Sequence, residues 1–360
     1  MASVEWGEYR IDDLFKIQTS AKRFDANKVN IIENGRYPYV VRTSSNNGQK
    51  GFLDENESFL NAGNTISFGQ DTATIFYQEK PYFTGDKIKV LVPKVYKFNK
   101  KNAQFFLTSM NIAFSKFSWG SSRFNVDVLK EQVIMLPTKC DSIDFEFMES
   151  FIEELEAERI EELEAYLSVS GLKDTQLTAD ELSALDKFNS IKWKKFNLET
   201  LFGKSTRGKR LKGDDRIGGN LPFVTAGETD EGISAFISND VEIFSSNTTT
   251  IDMFGSAKYR NYNYGADDHI AVVHTENLSK YAAIFVTSAC HKSAHNGDFS
   301  YSRNFYAKDA DKLYISLPVK NEQPDYELMS TLISAIQKLV IADVVKFSDE
   351  KIKATKQVVG

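Results

Sequence analysis

The sequence predicts a mixed α/β (α+β) chain in which one domain occurs twice, each copy a mostly antiparallel β core followed by a long helix. Three observations carry that expectation. Trp6 and Trp193, Leu14-Phe15 and Leu201-Phe202, and Lys22-Arg23 and Lys209-Arg210 all recur at one offset of 187 residues. Short runs rich in Ile, Val, Phe, Tyr and Thr are broken by turn signals such as Asn34-Gly35, Asn46-Asn47-Gly48, Thr84-Gly85-Asp86 and Gly218-Gly219-Asn220, a pattern of short strands and hairpins. After each β-rich stretch, apolar residues return at steps of three and four, which is helical spacing.

The elements follow in order. Pro38 in "RYPYVV" stands opposite Pro222 in "NLPFVT", Thr65-Ile66 opposite Thr250-Ile251, and Thr108-Ser109 opposite Thr287-Ser288. Arg123 matches Arg303, Leu136-Pro137 matches Leu317-Pro318, and Met148 matches Met329, so the period is about 180 residues. The first copy occupies 1–140. A helix in 141–170 has Asp141-Ser142 as its opening caps, a stripe of Met148, Phe151, Ile152, Leu155, Leu163, Tyr166 and Leu167, and Gly171 as its stop. The linker 171–192 contains a helix opened by the capping box Thr178-x-x-Glu181. The second copy spans 193–322, and Pro324-Asp325 open the last helix, within 323–360. Its stripe of Met329, Leu332, Ile333, Ile336, Leu339, Val340, Val344 and Phe347 is long enough to need a partner helix. The economical partner is the helix of the other copy, giving an antiparallel coiled coil with Leu155, Leu163, Leu332, Ile336 and Val340 in one seam. Roughly 25 residues at about 1.5 Å each span roughly 37 Å, near one turn of B-DNA.

A chain of 360 residues can bury two ordinary cores. No run of about 18 apolar residues and no charged-then-apolar leader occurs, so no membrane span is expected and the location expected is cytoplasmic. Cys140 and Cys290 lie at non-equivalent positions and read as reduced. The net charge of −6 is unevenly distributed: residues 141–164 hold eleven acids against Arg159, leaving the rest of the chain at +4. Residues 192–213 carry eight bases against Glu199, and 80–101 carry seven lysines against Asp86. Phosphate is neutralised locally, within a Debye length, so these stretches permit a polyanionic partner despite the acidic average.

The candidate DNA-contacting residues lie in polar loops. Lys22, Arg23, Arg207, Lys209 and Arg210 follow each repeat start, where a flexible cation reaches phosphate and an arginine fork fits guanine O6 and N7. Arg123 in "FSWGSSRF" and Arg303 in "FSYSRN" share an aromatic and serine setting. Arg42, Asn46, Asn47 and Gln49 in "RTSSNNGQK" suit adenine edges, although Asn-Gly is equally a hairpin turn. Gln70 and Asp71 in "FGQDTA" and Lys258, Tyr259 and Arg260 in "SAKYRNY" complete the set.

With these motifs in place, the whole chain resembles the DNA-specificity (S) subunits of type I restriction-modification systems and the related type IIB subunits of the Bcg kind. The resemblance rests on two copies of Trp-x-x-aromatic-x-apolar-x-x-Leu-Phe, on "YPYV" and "LPFV", and on "VIMLP" and "LYISLP", each followed by a helix. The linker "AYLSVSGLKDTQLTADE" looks more like the Bcg group. The resemblance implies two target-recognition domains, each reading half of a bipartite, asymmetric double-stranded DNA site. It also implies two coiled-coil helices that fix spacing and recruit methyltransferase subunits, with a restriction subunit as a further, optional partner. S-adenosylmethionine, ATP and magnesium would then belong to the partners alone.

Enzymatic readings find less support in the residues. Neither a Gly-rich cofactor loop with an Asn/Asp-Pro-Pro-aromatic site nor a Walker loop occurs, so no catalytic residue is assigned. Cys290-His291-x3-His295, with His269 and His274 upstream, has no counterpart in the first copy and no Cys-x2-Cys to complete a tetrahedral set, so no metal is assigned. The alternative to a DNA reader is a duplicated β-rich module for a glycan or protein, for which Tyr259, Tyr262 and Tyr264 would supply a platform.

Overall fold

The computed structural model describes residues 4–115 and 126–359. The chain divides into two compact units, Met1–Glu162 and Leu163–Gly360.

In the first unit, β1 (Glu5–Arg10) leads through the short helix α1 (Ile11–Leu14) to β2 (Phe15–Thr19), β3 (Tyr37–Val40), β4 (Gln49–Leu53), β5 (Thr65–Gly69), β6 (Ile75–Gln78), β7 (Phe83–Thr84) and β8 (Ile88–Pro93). Helices α2 (Ala103–Phe114) and α3 (Val126–Glu131), strands β9 (Val133–Lys139) and β10 (Ser142–Ile143), and the start of α4 (Phe145–Val169) complete it. The strands form three sheets, ordered β2-β8-β5-β6, β4-β3-β7 and β1-β9-β10. All pairings are antiparallel except β3 with β7. Phe15, Phe98 and Phe106 meet edge to face at 5.2–5.7 Å in the centre of its main core. A smaller core under β3 and β4 gathers Phe24, Tyr39, Leu53 and Phe83.

The second unit holds the end of α4, then α5 (Ala179–Asp186), β11 (Trp193–Asn197), α6 (Leu198–Phe202), β12 (Thr206–Arg207), β13 (Gly218–Val224), β14 (Ile233–Ile237), β15 (Thr248–Asp252), β16 (Ala257–Arg260), β17 (Gly265–Ala266) and β18 (Ile270–Val273). It closes with α7 (Lys280–Ala294), α8 (Ala307–Asp311), β19 (Tyr314–Lys320), β20 (Gln323–Pro324) and α9 (Tyr326–Val359). Its sheets, β12-β18-β15-β16, β14-β13-β17 and β11-β19-β20, repeat the first unit strand for strand, including the one parallel pair.

The duplication extends to single hydrogen bonds. Trp6 pairs with Pro137 and Trp193 with Pro318 in the ladder. Cys140-Asp141 and Asn321-Glu322 turn both hairpins with two consecutive positive φ angles, the geometry of a type I′ turn. Asp144 and Asp325 then cap the long helices through the N–H groups of Phe147 and Leu328. The opening cap of α4 is therefore Asp144 rather than Asp141-Ser142, because the hairpin consumes those two residues. Thr65 and Thr248 each bond a buried tyrosine hydroxyl, Tyr82 and Tyr264, and a carbonyl three residues back. That equivalence corrects the alignment of Thr65 with Thr250 by two residues.

The linker helix forms as its capping box requires: Thr178 Oγ1 accepts from Glu181 N, and Glu181 accepts from Thr178 N. Glu181 also receives Ser334 Oγ at 2.6 Å and Lys338 at 3.1 Å, and these bonds pull its carboxyl down to about 2. Glu164 meets Ser348, and Lys338 donates to Gln176 O. Residues 164–181 thus run antiparallel to the 334–348 stretch of α9.

Within the second unit, of the residues expected in the apolar seam, Leu332 is buried, Leu163 is half-buried, and Ile336 and Val340 are exposed. The α9 stripe is wider than one neighbour can cover, so Met329, Leu332 and Ala335 turn into the second unit beside α7 and Val345 is buried further along, while Ile336, Leu339, Val340, Val344 and Phe347 are exposed. Tyr326–Ala354 is long and apolar enough to cross a membrane by composition alone, and that half-buried stripe is what gives it this composition.

Candidate nucleic-acid interface

In the first unit the repeat-start loop crosses the sheet edge beside β7. Thr84 Oγ1 donates to Ser20 Oγ at 2.6 Å, Phe24 N donates to Thr84 O, and Tyr39 OH donates to Phe24 O at 2.6 Å. These bonds anchor the loop and set its cations. Lys22 lies over the rings of Phe24 and Phe59 at 4.5 and 4.8 Å and 3.8 Å from Glu55. Arg23 Nη1 donates to Asp86 Oδ1 at 3.1 Å. Next to it, Arg42 donates to Asp71 at 2.5 Å, and Lys87 donates to the same carboxylate oxygen at 2.7 Å. Arg23 and Arg42 both line an open cleft of about 930 Å³, together with Asn27, Gln49, Lys50 and Thr72. These ion pairs are largely exposed, and such pairs contribute only about 0–1 kcal/mol each. A phosphate or base edge can therefore compete for Arg23, the most exposed of these cations.

The second unit builds the same loop with another path. Gly208 packs on Ala266, the counterpart of Thr84, so closely that a Cβ at 208 would lie 1.6 Å from the Ala266 carbonyl oxygen. Leu211 N donates to Asp267 Oδ1. Lys204, Arg207, Lys209, Arg210 and Lys212 all project into solvent, and none makes an ion pair or side-chain hydrogen bond among the described residues. Asp268, the counterpart of Asp86, faces His269 Nδ1 at 3.1 Å instead of an arginine.

Other candidates are redistributed by burial. Arg260 is 1% exposed and bonds Thr250 Oγ1 and Tyr262 OH, so it is a structural arginine and is withdrawn as a DNA contact. Lys258 is tied to Ser256 and Glu228, with Asp252 3.8 Å away, and Tyr259 OH donates to Asn247. Both serve the β15-β16 hairpin. Asn46 and Asn47 stand at positive φ and donate to the carbonyls of Gln49 and Tyr77. Because Asp230 and Glu231 make the same turn in the second unit, the asparagines shape a turn, each with its amide nitrogen donating to a backbone carbonyl. Gln70 is half-buried at the β5 turn, its N–H on Lys87 O. Arg303 is exposed and held over Phe299 at 5.3 Å; Arg123 lies outside the described residues. Tyr264 is fully buried and Tyr262 packs against it, so the tyrosines form core rather than a glycan platform. Cys290 is likewise buried, its thiol pushed up to about 12 by desolvation. His291 and His295 stack at 4.8 Å and bond backbone groups.

The sequence pattern of the type I restriction modification DNA specificity domain matches residues 3–165 and, a second time, residues 190–346. The chain belongs to that family. The specificity domains account for both units and their duplicated topology. Over 346 residues the chain is 26% identical to the type II restriction enzyme BcgI specificity subunit of Heyndrickxia coagulans, covering 94% of this chain and 96% of that one. A type I restriction-modification S subunit from M. genitalium has a similar fold, with a TM-score of 0.63 at 16% identity over 99% of this chain and 95% of the other.

Sequence reasoning named the cations of the specificity domains but missed their carboxylate partners Glu55 and Asp86. Asp86 had a visible signal, as the one acid in the lysine-rich stretch 80–101. Glu55 had none, since a pairing over more than thirty residues depends on how the sheets fold.

Proposed function

We propose that this chain is the DNA sequence-specificity subunit of a restriction-modification complex, itself without catalytic residues. Each unit reads one half of a bipartite, asymmetric site, and partner subunits supply methylation and cleavage. The observation that carries the reading is the double match to a DNA specificity domain, coupled with solvent-facing cations at Arg207, Lys209, Arg210 and Lys212. Domain boundaries at 1–140, 141–170, 171–192, 193–322 and 323–360 are part of the proposal, as are a cytoplasmic location and the confinement of S-adenosylmethionine, ATP and magnesium to partner chains. The relation to a BcgI specificity subunit favours an assembly of that type.

The test is methylome sequencing of a host carrying the partner methyltransferase genes, with and without this gene. A bipartite modified motif that disappears with the gene is the expected result. A motif unchanged by deletion would overturn the reading.

A further inference from the structure

Among the cleft arginines of the first unit, Arg42 is the one fixed from several sides. Its stem lies over Gly69, where a Cβ would approach Arg42 Cγ to 3.4 Å. Its Nη1 donates to Asp71 Oδ2 at 2.5 Å, and Lys87 Nζ holds that same oxygen at 2.7 Å. The turn carrying Asp71 is itself closed by Gly69 N to Thr74 O and Gln70 N to Lys87 O. The second unit has Ala226 at the corresponding position, four residues after the shared proline, so this device belongs to one half only.

The geometry points to Asp71 as a positioning residue that holds Arg42 as a guanine reader, an inference that rests on the DNA-specificity reading above. An arginine free to rotate finds phosphates, which carry no sequence information. Anchoring one nitrogen removes rotamer freedom before DNA arrives and leaves Nη2 and Nε to donate. Guanine offers two adjacent acceptors, O6 and N7, in the major groove, whereas adenine presents a donor beside N7 that opposes the guanidinium. The carboxylate also accepts from Lys87, which holds it in place while Arg42 engages the base.

The full chain, reconstituted with its methyltransferase partner, is tested on duplexes carrying the motif found by methylome sequencing and on each single-base replacement. Wild type is expected to discriminate strongly at a G·C pair in one half-site. Asp71→Asn should lower discrimination at that pair by roughly five- to a hundredfold, the worth of one bidentate contact, while the salt slope of binding steepens as Arg42 and Lys87 are released toward phosphate. Arg42→Ala should relax the same pair, and Asp71→Asn added to it should relax it no further. A uniform loss of affinity for every duplex, or relaxation at different pairs in the two variants, would overturn the inference and leave the specificity-subunit reading standing. No motif from the wild-type assembly would overturn both.

Discussion

The loops around Lys22-Arg23 and Lys209-Arg210 carry one signature in two electrostatic settings. In the first, Lys22 and Arg23 face Glu55 and Asp86; in the second, Lys209 and Arg210 face solvent. The cause is the residue beneath. Thr84 bonds Ser20 and draws the first loop to the sheet with Arg23 alongside it, whereas Ala266 has no hydroxyl and lets Gly208 close in. A duplicated motif therefore conserves a position in the fold, while local packing decides whether its charges are already neutralised.

That contrast predicts unequal contributions to DNA binding. Replacing Lys209 and Arg210 with alanine should weaken binding roughly tenfold or more and lower the log-log salt slope by about 0.9 for each phosphate no longer neutralised. The same change at Lys22 and Arg23 should move the slope less, because those cations exchange one anion for another. Filter-binding salt titrations of the reconstituted complex measure both, and equal slope changes would break the comparison.

Next in size is packing. Gly208→Ala should cost the second unit about 1–3 kcal/mol, since the new methyl meets a carbonyl oxygen and the loop must shift. Ala21→Gly, at the matching and exposed position, should cost less than about 1 kcal/mol. Denaturant melts of the two variants read the difference.

A further test concerns a feature present in the second unit, the linker helix on α9. Glu181 is ionised with its carboxyl lowered from 4.5 to about 2, chiefly by Ser334. A depressed carboxyl stabilises above its unfolded value and loses that contribution as pH falls from about 4.5 toward 2. Stability measured between pH 5 and 3 should therefore fall more steeply in wild type than in Glu181→Gln. Thr178→Ala should remove about 1 kcal/mol through the lost cap.

The smallest expected effect on stability is Asp86→Asn, within about 1 kcal/mol because the pair is exposed. It should nevertheless release Arg23 and steepen the salt dependence of DNA binding toward that of a free cation.

Much was legible in the sequence because it is local or periodic. The repeat, the hairpin turns, the capping box at Thr178 and the helix of Met329 and Leu332 each depend on residues near one another in the chain. Asn46 and Asn47 show the limit: their type suggests base contacts, yet the Asn-Gly turn chemistry won, and Asp230-Glu231 repeats the turn without an amide. Arg260 is the sharper case, since an arginine in a polar string gives no sign that Thr250 and Tyr262 will bury it.

The sequence alone determined that one domain is duplicated, that a long helix succeeds each copy, and where the basic loops begin, because repetition and periodicity need no third dimension. Only the tertiary structure decided which cations are free. Arg23 meets Asp86 across 63 residues and Arg42 meets Asp71 across 29, and such distances close only when two separate sheets of the unit are brought edge to edge by the fold.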